Sequence, residues 1–127
     1  MIESLASAQR RGARIHAEVL SVAANSDGNH QTQPCEDGQV RVMTKALEEA
    51  GIAAEEIDYI NAHATSTPQG DIAETAAVKA VFGAQARKLI FGSTKSMTGH
   101  LLGAAGGLEF AICLLAARTG KIPPTIN

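Results

Sequence analysis

The 127-residue sequence has few aromatic side chains and no tryptophan. One tyrosine and three phenylalanines make up 3% of the chain, whereas hydrophobic residues together reach 45%. Small aliphatic side chains must therefore fill most of the interior. The charged fraction of 19% is that of a globular protein and argues against disorder. The length is that of a single domain.

Cysteine and basic charge are also scarce. Cys35 and Cys113 are too few for a disulfide framework, and the chain does not open on a signal peptide. We therefore expect a cytoplasmic protein. The formal net charge is −2, and no basic stripe of the kind that binds nucleic acid is present in the sequence.

The sequence also lacks an uncharged apolar run long enough for a clear membrane span. Its most apolar stretch, Leu101–Ala117, carries Glu109 in the middle. A charge at that depth costs about 3 kcal/mol in lipid. We interpret this stretch as the buried helix of a soluble protein, in which Gly103, Gly106 and Gly107 allow a neighbouring element to approach closely.

Strand-like and helix-like segments alternate along the chain. Ile15, Ala17 and Val19 have the period of a strand, and 58–62 and 88–92 are short apolar runs. Helices are predicted over 1–12, over 40–50 with a stop at Gly51, from a capping box at Asp71 and Glu74 to Phe82, and after His100. This order predicts an α/β layered fold with a sheet covered on both faces.

Two histidine motifs follow the second and third predicted strands. Residues 61–68 read Asn-Ala-His-Ala-Thr-Ser-Thr-Pro, and 93–100 read Ser-Thr-Lys-Ser-Met-Thr-Gly-His. Loops at strand ends commonly display reactive groups. If both loops leave the same edge of one sheet, His63 and His100 can converge on one ligand atom.

The chemistry of each motif can be weighed separately. His100 follows Gly99 and opens a helix, whose positive potential disfavours an imidazolium, so we expect a neutral hydrogen-bond donor. A lone histidine at a strand end, such as His63, is more often structural than catalytic. Lys95 either orients an imidazole or lies in solvent. Two histidines without a third ligand do not predict zinc.

A nucleophile is missing from this set. Cys113 sits in the middle of an apolar helix, where a thiol is inert. Cys35 is followed by two acidic residues, which disfavour its thiolate. The residues alone therefore predict a hydrogen-bonding site rather than a complete catalytic centre.

Both motifs, the first extended back to Tyr59 and the second forward to Gly106, closely resemble those of β-ketoacyl-[acyl-carrier-protein] synthases. The resemblance covers essentially the whole chain. It implies a thiolase-like α/β fold, of which residues 1–127 would be an incomplete carboxy-terminal domain with a mixed sheet between helices. It also implies decarboxylative condensation of a malonyl thioester with an acyl thioester in fatty acid biosynthesis, although a polyketide pathway stays open.

The resemblance implies roles for individual residues. His63 and His100 would donate hydrogen bonds to the malonyl thioester oxygen, with Lys95 beside the second histidine and Glu109 as a buried acid behind the site. Two threonines, Thr65 and Thr67, would lie near the pantetheine arm of the substrate. No metal or separate cofactor is implied, because phosphopantetheine on the acyl carrier protein holds the substrates.

The same resemblance leaves parts unaccounted for. The family's nucleophilic cysteine belongs to an amino-terminal half that these residues do not contain, so we expect no acyl transfer by this chain alone. The full-length enzyme would be a homodimer that meets acyl carrier protein and neither nucleic acid nor membrane. The alternative is a non-catalytic thiolase-fold half that pairs with another synthase subunit. Ala64 replaces the family's usual glycine and would be strained at a positive φ.

Overall fold

The computed structural model describes residues 1–30 and 32–126. Over these residues the chain forms helices and two short strands in the order α1 (Leu5–Arg10), α2 (Glu36–Ala50), β1 (Tyr59–Asn61), α3 (Pro68–Phe82), β2 (Ile90–Gly92), α4 (Lys95–Thr98) and α5 (Ala105–Thr119). Turns of 3-10 helix lie at Ala54–Glu56, Gly83–Arg87 and Leu102–Ala104.

The two strands form a parallel pair. Tyr59 lies opposite Ile90, and Asn61 lies opposite Gly92. Parallel strands need a crossover connection, which α3 provides here. Because both strands run in the same direction, the segments that follow Asn61 and Gly92 emerge at one edge of the sheet.

The apolar core lies beside this strand pair. Val78 and Phe82 of α3 form a buried cluster with Leu89, and Met43 and Leu47 of α2 pack against it. The predicted spacing of α2 is therefore confirmed. The helix ends at Gly51, whose φ of 67° is a left-handed conformation that glycine adopts without strain.

The predicted mixed sheet is not formed by the described residues. The only sheet among them is the parallel pair, and the segment from Ile15 to Ala24 has no regular structure. A strand needs a neighbour to pair its N–H and C=O groups, and none lies beside this segment in the described part of the chain. Both faces stay partly open, since the successive strand residues Ile90 and Phe91 point to opposite faces and are 49% and 37% exposed.

Helix α5 is less buried than its composition predicts. Only Ala105 and Ala116 of this helix are buried, whereas Phe110 and Leu115 are 40% and 57% exposed. By length and composition alone, Leu102–Thr119 is apolar enough to cross a membrane, with a mean hydropathy of 1.3. A helix that is apolar on all sides cannot bury itself against one neighbour, and this explains why the prediction of a buried helix was wrong.

The glycines of this region have open space beside them. A methyl group added at Gly103, Gly106 or Gly107 would meet no other described atom within 4 Å. The close approach predicted for these three positions therefore does not occur within the described residues.

Candidate active site

The parallel strands bring the two histidines together. The imidazole centroids of His63 and His100 lie 5.2 Å apart, with the ring planes at 87°. This edge-to-face contact joins two residues that are far apart in sequence. Both side chains are exposed, so a ligand can approach the pair from outside.

A carboxylate holds the main chain at His63. Glu74 Oε1 accepts a hydrogen bond from the His63 N–H, and its Oε2 accepts one from the Ala64 N–H, both at 2.8 Å. The predicted capping box at Asp71 and Glu74 is therefore wrong. Helix α3 already begins at Pro68, and the Glu74 carboxylate bonds the preceding loop instead of the helix end.

Strained backbone is concentrated around the two histidines. Among the described residues, the non-glycine positions with positive φ are Ala64 at 22°, Ser66 at 65° and Leu102 at 51°. Each lies within three residues of His63 or His100. Left-handed conformations cost a side chain-bearing residue free energy and tend to occur where function requires them. The strain expected at Ala64 is thus present in the structure.

The ring of His100 is fixed by its own loop. Its Nδ1 accepts a hydrogen bond from the Leu102 N–H at 3.3 Å. A ring nitrogen that accepts carries no proton, so the proton of the neutral imidazole lies on Nε2. In its neutral form, His100 would therefore present a donor at Nε2.

Lys95 is buried behind His100 and does not lie in solvent. Its Nζ is 2.5 Å from Oε1 of Glu109, and the two side chains are 5% and 17% exposed. Lys95 is the first residue of α4, and Glu109 lies in α5. The ion pair therefore connects the segment that precedes His100 to the helix that follows it.

A cavity of about 540 Å³ opens beside these groups. Its lining includes Thr65, Lys95 and His100, but neither Thr67 nor His63. Thr67 instead precedes α3 as its N-cap residue. Asp71 also lines the cavity, and its Oδ1 is buried without a hydrogen-bond partner among the described residues.

The two cysteines lie away from this cavity. Neither Cys35 nor Cys113 is among the lining residues that the structure describes. Burial raises the pKa of the Cys113 thiol, and hydrogen bonds to Asn61 oppose this rise. A thiol that resists ionisation is a poor nucleophile, as predicted for this helix position.

Hydrogen bonds also join the two strand ends. Asn61 Nδ2 donates to Thr94 Oγ1 at 3.1 Å, and the Thr94 N–H donates to Asn61 Oδ1 at 3.3 Å. The roles of Asn61, Thr94 and Glu74 were not predicted from the sequence. The signal for Glu74 was its carboxylate three residues after Asp71, but spacing alone cannot distinguish a helix cap from a hydrogen bond to another loop.

The described residues contain no group of three or more His, Cys, Asp or Glu side chains placed to hold a metal ion. The arrangement instead provides hydrogen-bond donors beside an open cavity, backed by a buried ion pair. It is a site that can stabilise negative charge developing on a ligand oxygen.

Comparison with known proteins identifies the family of this chain. Residues 16–127 match the model of the beta-ketoacyl synthase C-terminal domain. The chain belongs to this family, and the resemblance of the two histidine motifs is confirmed.

Curated relatives are longer than this chain. The 3-oxoacyl-[acyl-carrier-protein] synthase 2 of Staphylococcus aureus is 48% identical over 129 residues, which span 100% of this chain and 32% of that protein. The chain thus covers about a third of the length of this curated relative.

Solved structures confirm the thiolase-like fold. One described as the ishigamide ketosynthase/chain length factor matches with a TM-score of 0.92 and 48% identity, over 98% of this chain and 30% of that one. A type II PKS acyl-carrier protein in complex with its ketosynthase bound to the hexaketide matches with a TM-score of 0.91 and 38% identity, over 97% and 31%.

Proposed function

We propose that this chain supplies the enolate-stabilising part of a 3-oxoacyl-[acyl-carrier-protein] synthase acting in fatty acid biosynthesis. The observation that carries the proposal is the edge-to-face contact of His63 and His100 beside the cavity. The substrates are a malonyl thioester on acyl carrier protein and an acyl thioester held by a cysteine outside these 127 residues.

The reaction places negative charge where the histidines can meet it. The bond between the malonyl carboxylate and the adjacent carbon breaks, CO₂ leaves, and the electron pair moves onto the thioester oxygen as an enolate. His100 Nε2–H and a ring N–H of His63 donate hydrogen bonds to that oxygen. The enolate carbon then attacks the acyl thioester carbon, and the cysteine thiolate departs. Donors aimed at developing charge lower the barrier to such a step.

The surrounding residues have supporting roles in this proposal. The Lys95–Glu109 pair fixes the segments on either side of His100. Thr65 lies in the cavity lining, where its hydroxyl can bond the pantetheine arm of the substrate. Thr67 lies at the end of the loop that follows His63, immediately before α3, and would approach the pantetheine arm from there.

The rest of the site comes from a larger polypeptide in this proposal. Residues 1–127 form an incomplete carboxy-terminal domain, and an amino-terminal half supplies the nucleophile. Helix α5 exposes an apolar surface, and there is open space beside Gly106 and Gly107. Both features support packing of the rest of the polypeptide against this helix. The complete enzyme is a cytoplasmic homodimer that receives its substrates from acyl carrier protein, and this chain alone is inactive.

A second candidate is a non-catalytic half that pairs with another synthase subunit. The same exposed side chains of α5 favour it, since they would suit an interface between subunits. The two candidates differ in what the histidines do once the partner is present.

The test is an assay of malonyl-carrier-protein decarboxylation and condensation. The chain is measured alone and after association with a separately supplied amino-terminal half of a synthase. We expect turnover only in the complex, and a loss of roughly 10²- to 10³-fold in His100→Ala and in His63→Ala, as for the removal of other oxyanion donors. His30→Ala, in an exposed loop, is the matched control and should keep full activity.

Two outcomes would overturn the catalytic proposal. One is a folded, associated complex without turnover, which would favour the non-catalytic subunit. The other is full activity in both histidine variants. Cys35→Ala should leave the rate unchanged, because its thiol lies outside the described cavity lining.

A further inference from the structure

Asn61 connects the two histidine-bearing segments directly. It is the last residue of β1 and lies opposite Gly92, the last residue of β2. Its side-chain amide bonds both the hydroxyl and the backbone N–H of Thr94, at 3.1 and 3.3 Å. His63 lies two residues beyond Asn61 on one side, and Lys95 immediately follows Thr94 on the other.

The buried Thr94 side chain uses its hydroxyl for the bond to Asn61. Thr94 is fully buried, 1% exposed, and is the N-cap residue of α4. A threonine at an N-cap usually accepts a hydrogen bond from the helix backbone with its hydroxyl. Here the hydroxyl makes no such bond, and its partner is Asn61. Helix α4 therefore has no side-chain cap from Thr94, because the hydroxyl bonds Asn61 instead.

The same amide lies near α5. Interaction with Asn61 lowers the pKa of the Cys113 thiol, against the rise that burial causes. Cys113 lies one helical turn after Glu109, the partner of Lys95. Asn61 therefore connects the two strand ends close to the helix that anchors Lys95.

We propose that Asn61 is a positioning residue that sets the separation and the angle of the His63 and His100 rings. The backbone bond from the Ala62 N–H to the Gly92 carbonyl, at 2.7 Å, continues the pairing of the strands only one residue further. Past Gly92, the two segments are connected by the hydrogen bonds between the Asn61 amide and Thr94. Its effect on turnover rests on the proposed function, whereas its effect on ring geometry does not.

The geometric test uses NMR on the 127-residue chain. Ring protons of His63 and His100 should show a mutual nuclear Overhauser effect in the unmodified chain. In Asn61→Ala and in Thr94→Val this effect should fall at least roughly twofold, because a misplacement on the order of 1 Å weakens it steeply. Asn61→Asp should retain it, since a carboxylate keeps the shape and accepts from both Thr94 donors.

A matched control separates positioning from general stability. Asn25→Ala removes another side-chain amide bond, from Nδ2 to the Gly38 carbonyl at 2.7 Å, outside the site. We expect it to lower thermal stability about as much as Asn61→Ala while leaving the ring contact intact. The double variant Asn61→Ala/Thr94→Val should be no worse than Asn61→Ala, because Asn61→Ala already removes both bonds to Thr94.

Turnover supplies the second readout. In the completed enzyme, Asn61→Ala should lower kcat roughly 10- to 100-fold with little change in KM, as expected when reacting groups are misplaced but substrate binding is not. An unchanged ring contact in Asn61→Ala, or additive effects in the double variant, would overturn the inference. A weakened ring contact in a complex that never turns over would instead support the positioning role and reject the proposed function.

Discussion

The two histidines of the site are held in opposite ways. His63 is fixed through its main chain, where both oxygens of Glu74 accept N–H groups of the loop at 2.8 Å. His100 is fixed through its ring, where Nδ1 accepts the Leu102 N–H. The bonds to Glu74 fix the position of the His63 main chain. The bond from Leu102 fixes which ring nitrogen of a neutral His100 carries the proton.

This difference has a chemical consequence. With Nδ1 occupied, His100 presents only an Nε2–H donor to a ligand. His63 has no comparable bond to its ring among the described residues, so either nitrogen can carry its proton. The pair therefore combines one histidine of fixed polarity with one that can adapt as charge develops on the ligand.

The charges behind the two histidines also differ. The carboxylate behind His100 is paired with a buried cation, Lys95, whereas Glu74 is met by two main-chain N–H dipoles. Removing one partner of a buried ion pair leaves an uncompensated charge, which costs more than the loss of hydrogen bonds near the surface. The His100 side of the site should therefore be the more sensitive to single substitutions.

The largest effect should come from Glu109→Gln. The substitution leaves the Lys95 ammonium, 5% exposed, without its counter-charge. We expect the free energy of unfolding to fall by about 3 to 5 kcal/mol, measured by urea denaturation. The ring contact with His63 should be lost at the same time, because the segment on both sides of His100 loses its anchor.

Two further variants check that explanation. Lys45→Ala breaks the exposed pair with Glu49, at 3.6 Å, and should cost less than about 0.5 kcal/mol. Lys95→Met/Glu109→Leu removes both charges and should recover most of the stability. If Glu109→Gln cost no more than Lys45→Ala, the pair would not be buried as the structure describes.

A smaller effect is expected from Glu74→Ala on the His63 side. Two N–H groups lose their acceptor, at a cost of about 2 kcal/mol in the free energy of unfolding. Glu74→Gln should cost nearly as much, because its NH₂ group cannot accept the second N–H. Denaturation of each variant measures the cost.

The control for Glu74 is another carboxylate that bonds a backbone N–H. Glu56 Oε2 accepts the Ala53 N–H at 2.7 Å, beside an exposed 3-10 turn. Glu56→Ala should cost about 0.5 to 1 kcal/mol. An equal cost for Glu56→Ala and Glu74→Ala would mean that the loop of His63 is not clamped more firmly than an ordinary turn.

Local patterns in the sequence predicted the elements that position the site. Periodicity and the stop at Gly51 located α2, and two short apolar runs located β1 and β2. The convergence of His63 and His100 was predicted only on condition that both loops leave the same edge of one sheet, and the parallel pairing of β1 and β2 meets that condition. The contacts of Glu74 and Asn61 did not follow, because they join residues whose proximity depends on tertiary packing.

The segments that the sequence analysis misjudged share one physical property. A strand was predicted at Ile15, Ala17 and Val19 and a buried helix at α5, and both segments have exposed apolar side chains. Their apolar composition suits a buried position, whereas their actual exposure depends on which residues pack against them. Relatives about three times as long contain further chain that could supply such cover.

The smallest expected effect has the opposite sign and comes from Ala64→Gly. With φ at 22°, Ala64 is in a region that glycine occupies without a Cβ penalty, so we expect a gain of up to about 1 kcal/mol in the free energy of unfolding. Ala80→Gly, at an exposed position inside α3, should instead lose about 1 kcal/mol. The gain should vanish in a Glu74→Ala background, because without the clamp the loop can relax to a negative φ. A loss in Ala64→Gly equal to that in Ala80→Gly would show that the loop carries no strain, and the contrast between the two histidines would then rest on His100 alone.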